Sequence, residues 1–331
     1  MAEVGKLSAS KLTTYKGCSL AYYLQYVAHE KVPTAIRMVF GKEIHYMLEK
    51  FYKKNYKSPE TFVNSFFYKF KSSIAGDFLK GKEKENLIVK EIPYTIKNSK
   101  NREGEERILR IGDHVSFGNS DDEVIKKLVF GYGNLGASIC KRFFIRHKSL
   151  KPPIRTEMSF GVKKTEPFEI NGHFIRGVFD RIDKNPNGYY ITDYKTDKSS
   201  PGIDSFILHR HPQFTLYSYA FRELFERKEK AILYYHLRSG DIFKTHRSEK
   251  DYDYIKKLLD EVAEGIDKDV FVPFYGFHCN FCDYKAACEK YSIPHHGGPR
   301  IDLQGKIKGA EKFSDWDVEI PDWMEMQVEE R

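Results

Sequence analysis

Apolar residues recur along this chain at two different periods, and the change from one to the other divides it. Residues 8–28 (SASKLTTYKGCSLAYYLQYVA) open with serines suited to a helix start and then space apolar side chains three and four apart. That spacing predicts a short helix with Cys18 inside it. The same spacing over 35–56 and 59–76 predicts two more helices, and a charged, glycine-containing stretch from Lys80 to Arg107 reads as a loop. A further helical pattern over about 121–149 stops at Pro152-Pro153. Beyond it the period becomes alternating, predicting strands over 155–163, 173–183, 189–196 and 231–246. A helix over 211–228 lies between the last two, and an amphipathic helix covers 250–266. The expected fold is α/β, a small mixed sheet flanked by helices. Its parts are an N-terminal helix (1–34), a helical region with the charged insertion (35–150), the sheet-bearing core (151–270), a cysteine segment (271–298) and an acidic tail (299–331).

Composition narrows the function classes. With 40% hydrophobic and 31% charged residues the chain is globular. No apolar run approaches the ~18 residues of a membrane span, and the first residues lack a signal-peptide core. The expectation is a soluble, intracellular protein, cytoplasmic or nucleoid-associated. The formal charge of +8 is uneven: residues 301–331 carry nine acidic and four basic side chains, which is −5 and leaves +13 on the remainder. A basic body suits a polyanionic partner such as nucleic acid. Five cysteines are too few and too odd in number for a secreted disulfide framework, and point to a reducing compartment with metal-bound or free thiols.

The chemistry concentrates in one predicted hairpin. The segment from Gly177 to Asp183 is followed by the turn Asn185-Pro186-Asn187-Gly188 and then by Tyr189 to Thr196. A turn centred between Pro186 and Asn187 sets Asp180 opposite Asp193, with Cβ atoms about 5 Å apart, where like charges need a cation or a proton between them. Lys195, two residues on, shares that face. Two carboxylates and an ammonium suit Mg²⁺ or Mn²⁺ and phosphodiester hydrolysis. The ordinary alternative is a solvated surface hairpin, and a register slip of one residue separates the pair.

Asp180 followed by Asp193-Tyr194-Lys195-Thr196 resembles the PD-(D/E)xK nuclease superfamily, in particular its RecB-like branch. Gly41-Lys-Glu-Ile-His45 is similar to the GxxxH helix of that branch and Gln213-Phe-Thr-Leu-Tyr217 to its QxxxY helix. With Leu7-Ser-Ala-Ser-Lys-Leu12 near the start, the resemblance spans about residues 7–291. It implies a restriction-endonuclease-like core and a metal held by His45, Asp180, Asp193 and the Tyr194 backbone carbonyl, with Glu157 as a further candidate carboxylate. It also implies a catalytic role for Lys195 and substrate-side roles for Gln213 and Tyr217. The activity implied is exonuclease action on single-stranded or end-bearing DNA, in recombination, repair, viral replication or CRISPR adaptation. A structure-specific endonuclease with the same residues and a non-catalytic DNA-binding scaffold are the alternatives. No GxxxxGK[ST] motor motif is present.

Cys279, Cys282 and Cys288 form C-x2-C-x5-C, a metal-binding spacing. In the family pattern of the AddB type and the CRISPR-adaptation exonucleases, an N-terminal cysteine, here Cys18, joins three C-terminal ones around a [4Fe-4S] cluster, although Ser19 stands where a proline often follows. Zinc is the rival, with His278 or Cys140 as substitute ligands, while Cys140 otherwise reads as a buried free thiol. Basic residues interleaved with aromatic ones suit single-stranded DNA. The acidic tail, with Trp316 and Trp323, is either a solvated extension or a docking peptide for a protein partner.

Overall fold

The computed structural model describes residues 5–32, 36–79, 123–198, 200, 202 and 206–291, with short strand pieces at 86–88, 99–100, 106–107, 114–116, 300–301 and 307–308. Most of the expected 80–107 loop and nearly all of the acidic tail, both tryptophans included, lie outside the described residues. By contacts the chain forms two units, Met1–Lys285 and Ala286–Arg331.

In the first unit the expected helix over 8–28 is two helices, α1 (Ala9–Gly17) and α2 (Ser19–Tyr26). Ser8 caps α1 by accepting from the Lys11 N–H. Cys18 is not inside a helix: it is extended (φ −166°, ψ 109°) and forms the joint, where Gly17 ends α1. Helices α3 (Ile36–Lys53), α4 (Pro59–Leu79) and α5 (Glu123–His147) match the helical period closely. They bury Phe40, Phe62, Phe66, Tyr132 and Phe143. A Cβ at Gly136 would lie 2.0 Å from the Phe66 ring, so only glycine lets α5 approach α4 this closely.

The five-stranded sheet contains β1 (Arg155–Phe160), β2 (Gly177–Asn185), β3 (Gly188–Lys195), β4 (Glu229–His236) and β5 (Asp241–Thr245), in the order β5-β4-β3-β2-β1. All neighbours are antiparallel except β3 and β4. That parallel pair requires a crossover, provided by α6 (Phe206–Arg210) and α7 (Pro212–Phe225). Helix α8 (Glu249–Asp267) follows the sheet. Side-chain alternation along the strands separates two cores. Tyr194 and Tyr235 join the α3–α5 core, whereas Ile182, Ile191 and Ile232 join Phe214 and Phe221 of α7 and Leu259 of α8.

Some expected boundaries move. The 231–246 strand is a hairpin turning at Gly240, whose φ of +87° favours glycine. The 173–183 strand begins at Gly177, preceded by a short pair, Glu169–Ile170 with His173–Phe174. The 211–228 helix is α7 alone, with α6 separated from it by extended His211. The cysteine segment comprises a 3₁₀ turn (Phe277–Phe281) and α9 (Lys285–Tyr291). Of the second unit, the residues from Ala286 to Tyr291 and the strand pair Arg300–Ile301 with Ile307–Lys308 are described. Among the described residues no helix is long and apolar enough to cross a membrane.

One buried titratable group at the end of α5 ties this packing to pH. His147 stacks on Phe143 with ring centroids 3.9 Å apart and makes a 2.9 Å hydrogen bond to the Phe143 carbonyl. Burial, aided by the Arg181 and Arg146 charges, lowers its pKa to about 4. Because the folded value lies below the unfolded one, the neutral ring's contribution is complete above pH ~6.5 and is lost as the pH falls towards 4, a difference on the order of 3 kcal/mol. Denaturant unfolding of wild type and His147→Gln at pH 7.5 and 4.5 checks this. The stability difference between the two proteins should shift in the variant's favour at the lower pH, and an identical difference at both pH values contradicts it.

Candidate active site

The central hairpin builds the site. Asn185 Oδ1 accepts the Asn187 N–H at 2.9 Å, closing the turn, and Gly188 takes φ +127° as β3 begins. The β2–β3 register follows the turn as far as Arg181 with Thr192, and continued by one residue it brings Asp180 across from Asp193. On the other side of β2, Thr156 pairs with Arg181 and Met158 with Phe179, which sets Glu157 opposite Asp180. Three carboxylates thus lie in one row across β1, β2 and β3. The regular ladder is altered along it. The Tyr194 N–H donates to the Asp180 side chain (Oδ2, 2.7 Å), and Glu157 is held at φ +47°, a left-handed conformation uncommon for a side chain of this kind.

Helix α3 brings His45 to this row. Gly41 lies one turn earlier, where a Cβ would come within 3.2 Å of Thr196 Oγ1, so the glycine lets α3 lie against the end of β3. His45 Nε2 is 3.1 Å from the Tyr194 carbonyl oxygen, and Nδ1 is 3.4 Å from Asp180 Oδ1 and 3.6 Å from Glu157 Oε1. Among the described residues, His45, Glu157 and Asp180 are the group whose donor atoms lie within 4.8 Å of one another as a metal site requires. Burial works against a charged His45, but Asp180 and Glu157 outweigh it and raise its pKa to about 10. The same pairing holds Asp180 below the ordinary carboxylate range despite burial. The site therefore already favours a positive charge among its carboxylates, the place a divalent cation takes.

Asp193 belongs to the row but not to that tight trio. Lys195 Nζ lies 2.8 Å from its Oδ2, a charged partner inside the buried pocket. Burial, together with the Asp180 charge, pushes Asp193 up to about 6 against the pull of Lys195. Asp193 and Asp180 raise the Lys195 pKa in spite of burial, so Lys195 is an ammonium at neutral pH. Its Nζ donates to Gln213 Oε1 at 3.1 Å, while Gln213 Nε2 donates to Asp193 Oδ1 at 2.7 Å and to the Tyr217 hydroxyl at 3.1 Å. Gln213 thus fixes Asp193 and Lys195 directly, and Tyr217, one turn on along α7, holds Gln213.

Two features were not expected. His211 caps α7, its Nδ1 accepting the Gln213 N–H at 3.2 Å, with Pro212 at the first helical position as the sequence signal. Arg181, on the opposite face of β2, donates to the Tyr52 hydroxyl at 2.6 Å and pairs with Asp183 at 2.7 Å, tying α3 to the sheet about two turns beyond His45. An arginine inside a strand carries no such signal, because its partners come from another element.

The cysteines are partly gathered. The Phe274 N–H approaches Cys18 Sγ at 3.4 Å, and Cys279 Sγ lies 3.8 Å from the Phe274 carbonyl oxygen, so one backbone position links the N-terminal cysteine to the C-terminal segment. Burial, with Cys18 and Cys279 nearby, raises the Cys282 pKa. Among the described residues these thiols do not form a group within 4.8 Å of one another. Cys288 lies in the second unit. Cys140 is fully buried in the α3–α5 core, and burial alone raises its pKa.

The central hairpin and the histidine-bearing helix thus bring together a donor set that could hold a divalent cation beside an ammonium. The sequence model of the PD-(D/E)XK nuclease superfamily matches residues 6–289, and the chain belongs to that superfamily. It is accordingly a nuclease with DNA as its substrate class. The chain is similar to the solved structure titled "Crystal structure of SSO0001" at 18% identity, over 49% of this chain and 78% of that one, with a TM-score of 0.30. No curated protein matches it.

Proposed function

We propose that this protein is a RecB-like exonuclease that hydrolyses phosphodiester bonds of single-stranded or end-bearing DNA with Mg²⁺ or Mn²⁺. The observation that carries the reading is the row Glu157–Asp180–Asp193, facing His45 from α3 and flanked by the Lys195 ammonium. His45, Asp180, Asp193 and the Tyr194 carbonyl would hold the cation, with Glu157 as a further ligand. When bound, the cation lowers the pKa of a coordinated water and polarises the scissile phosphate. Lys195 neutralises the charge that develops on the phosphate oxygens and orients the attacking water. Gln213 holds Asp193 and Lys195 in place through its two amide bonds, and Tyr217 holds Gln213.

Exonuclease action requires an end. Linear single-stranded DNA labelled at its 5′ or 3′ end should be degraded with Mn²⁺ while circular single-stranded DNA of the same sequence stays intact. Equal loss of both substrates would assign the same site to an endonuclease.

We further propose that Cys18, Cys279, Cys282 and Cys288 bind a [4Fe-4S] cluster with a structural role. Its supports are the spacing in the sequence and the shared Phe274 backbone contact of Cys18 and Cys279. Anaerobically purified protein should contain iron and acid-labile sulfide, both lost in Cys282→Ser together with a fall in Tm of about 10 °C. Zinc in place of iron and sulfide would contradict it.

A further inference from the structure

The wall formed by Lys195, Gln213 and His211 has a second side. The Gln213 side chain accepts from Lys195 Nζ while its backbone N–H donates to His211 Nδ1. A ring nitrogen that accepts carries no proton, so neutral His211 bears its hydrogen on Nε2, which makes no hydrogen bond among the described residues. His211 also lines a cavity of about 750 Å³ together with Phe206, Ile207, Arg210, Lys250 and Tyr254. That volume is within the ~300–1,000 Å³ range of ligand sites.

The chemistry of this cavity is specific. Phe206 and Ile207 are 67% and 70% exposed and Tyr254 54%, so the cavity presents apolar and aromatic surface to solvent. The Arg210 guanidinium lies 4.2 Å from the centre of the Phe206 ring and has no hydrogen bond or ion pair among the described residues. The carboxylate on the wall, Asp251, is engaged in capping α8, accepting from both Ser248 N and Ser248 Oγ. The cavity therefore offers aromatic faces, two cations and an imidazole N–H. A nucleotide presents the complement: a flat base and an anionic phosphate.

We propose that this cavity holds a nucleotide of the DNA strand adjoining the scissile phosphate, its base against Phe206 and Tyr254 and its phosphate met by Arg210, Lys250 and His211 Nε2–H. The assignment rests on the nuclease reading for the identity of its substrate. The test uses the full chain and fluorescein-labelled dT12, with binding followed by anisotropy in EDTA so that cleavage does not intervene. Phe206→Ala should weaken binding about tenfold. Arg210→Gln should reduce the slope of log K against log salt by about one. Both variants should hydrolyse bis(p-nitrophenyl) phosphate with Mn²⁺ at the wild-type rate, since that ester has no neighbouring nucleotide. Wild-type dT12 affinity and salt slope in both variants would overturn the proposal. So would dTMP binding that Phe206→Ala abolishes without affecting dT12, which would give the cavity to the released product. Failure of wild type to hydrolyse the small ester would count against the nuclease reading, while the dT12 comparison would still decide the cavity.

Discussion

Replacing Lys195 by alanine is expected to lower the rate of DNA cleavage about a thousandfold while leaving DNA affinity nearly unchanged. The ammonium is held in its charged form by Asp193 and Asp180 against the cost of burial, so it supplies a fixed positive charge and not a base. Fixed charges aimed at a developing oxyanion are typically worth ~10²–10³ in rate. The buried Asp193 carboxylate then loses its ion-pair partner. It keeps the hydrogen bond from Gln213 Nε2 at 2.7 Å, so the carboxylate is not left without a partner. Single-turnover cleavage and anisotropy binding separate the two effects: a fall in the chemical step at constant Kd is expected, and a fall in binding at a constant chemical step contradicts the role. Lys195→Arg should not rescue, because a planar guanidinium cannot occupy the space of an ammonium set between Asp193 and Gln213.

Asp180→Asn should have an equal or larger effect through a different step. Asp180 stands in the middle of the row, accepts the Tyr194 N–H through Oδ2 and faces His45 through Oδ1. Asparagine keeps an acceptor for Tyr194 but removes the charge from the centre of the donor set. Metal affinity should fall at least a hundredfold, with cleavage below detection at metal concentrations that saturate wild type. Isothermal titration with Mn²⁺ measures this independently of DNA. Unchanged Mn²⁺ affinity would remove Asp180 from the ligand set.

How far this site is legible in the sequence depends on the range of the signal. The Asp180–Asp193 pairing is readable because both residues lie in one hairpin whose turn residues, Asn185 to Gly188, define the register locally. Gln213 and Tyr217 are readable as a helix-face pair. Glu157 is readable only as a further candidate through the family resemblance, since its position depends on the β1–β2 register, set at long range. There Gly161, at φ +64°, lets the chain pass so close to Ile175 that a Cβ would come within 1.8 Å of its carbonyl oxygen. The cavity behind His211 is equally hidden, because its residues come from α6, α7 and α8 and meet only when the crossover is folded. Cys18 shows the local limit. Apolar spacing runs on through it, but the extended conformation that turns its thiol towards Phe274 leaves no mark in that spacing.

The most direct measurement is the cleavage of end-labelled single-stranded DNA by wild type, Lys195→Ala and Asp180→Asn, each with Mn²⁺, Mg²⁺ or EDTA. Wild type should lose the label with either metal and not in EDTA, and neither variant should lose it over the same time. Cleavage that persists in EDTA, or that Asp180→Asn performs at the wild-type rate, would contradict a metal-dependent nuclease site built on the central hairpin.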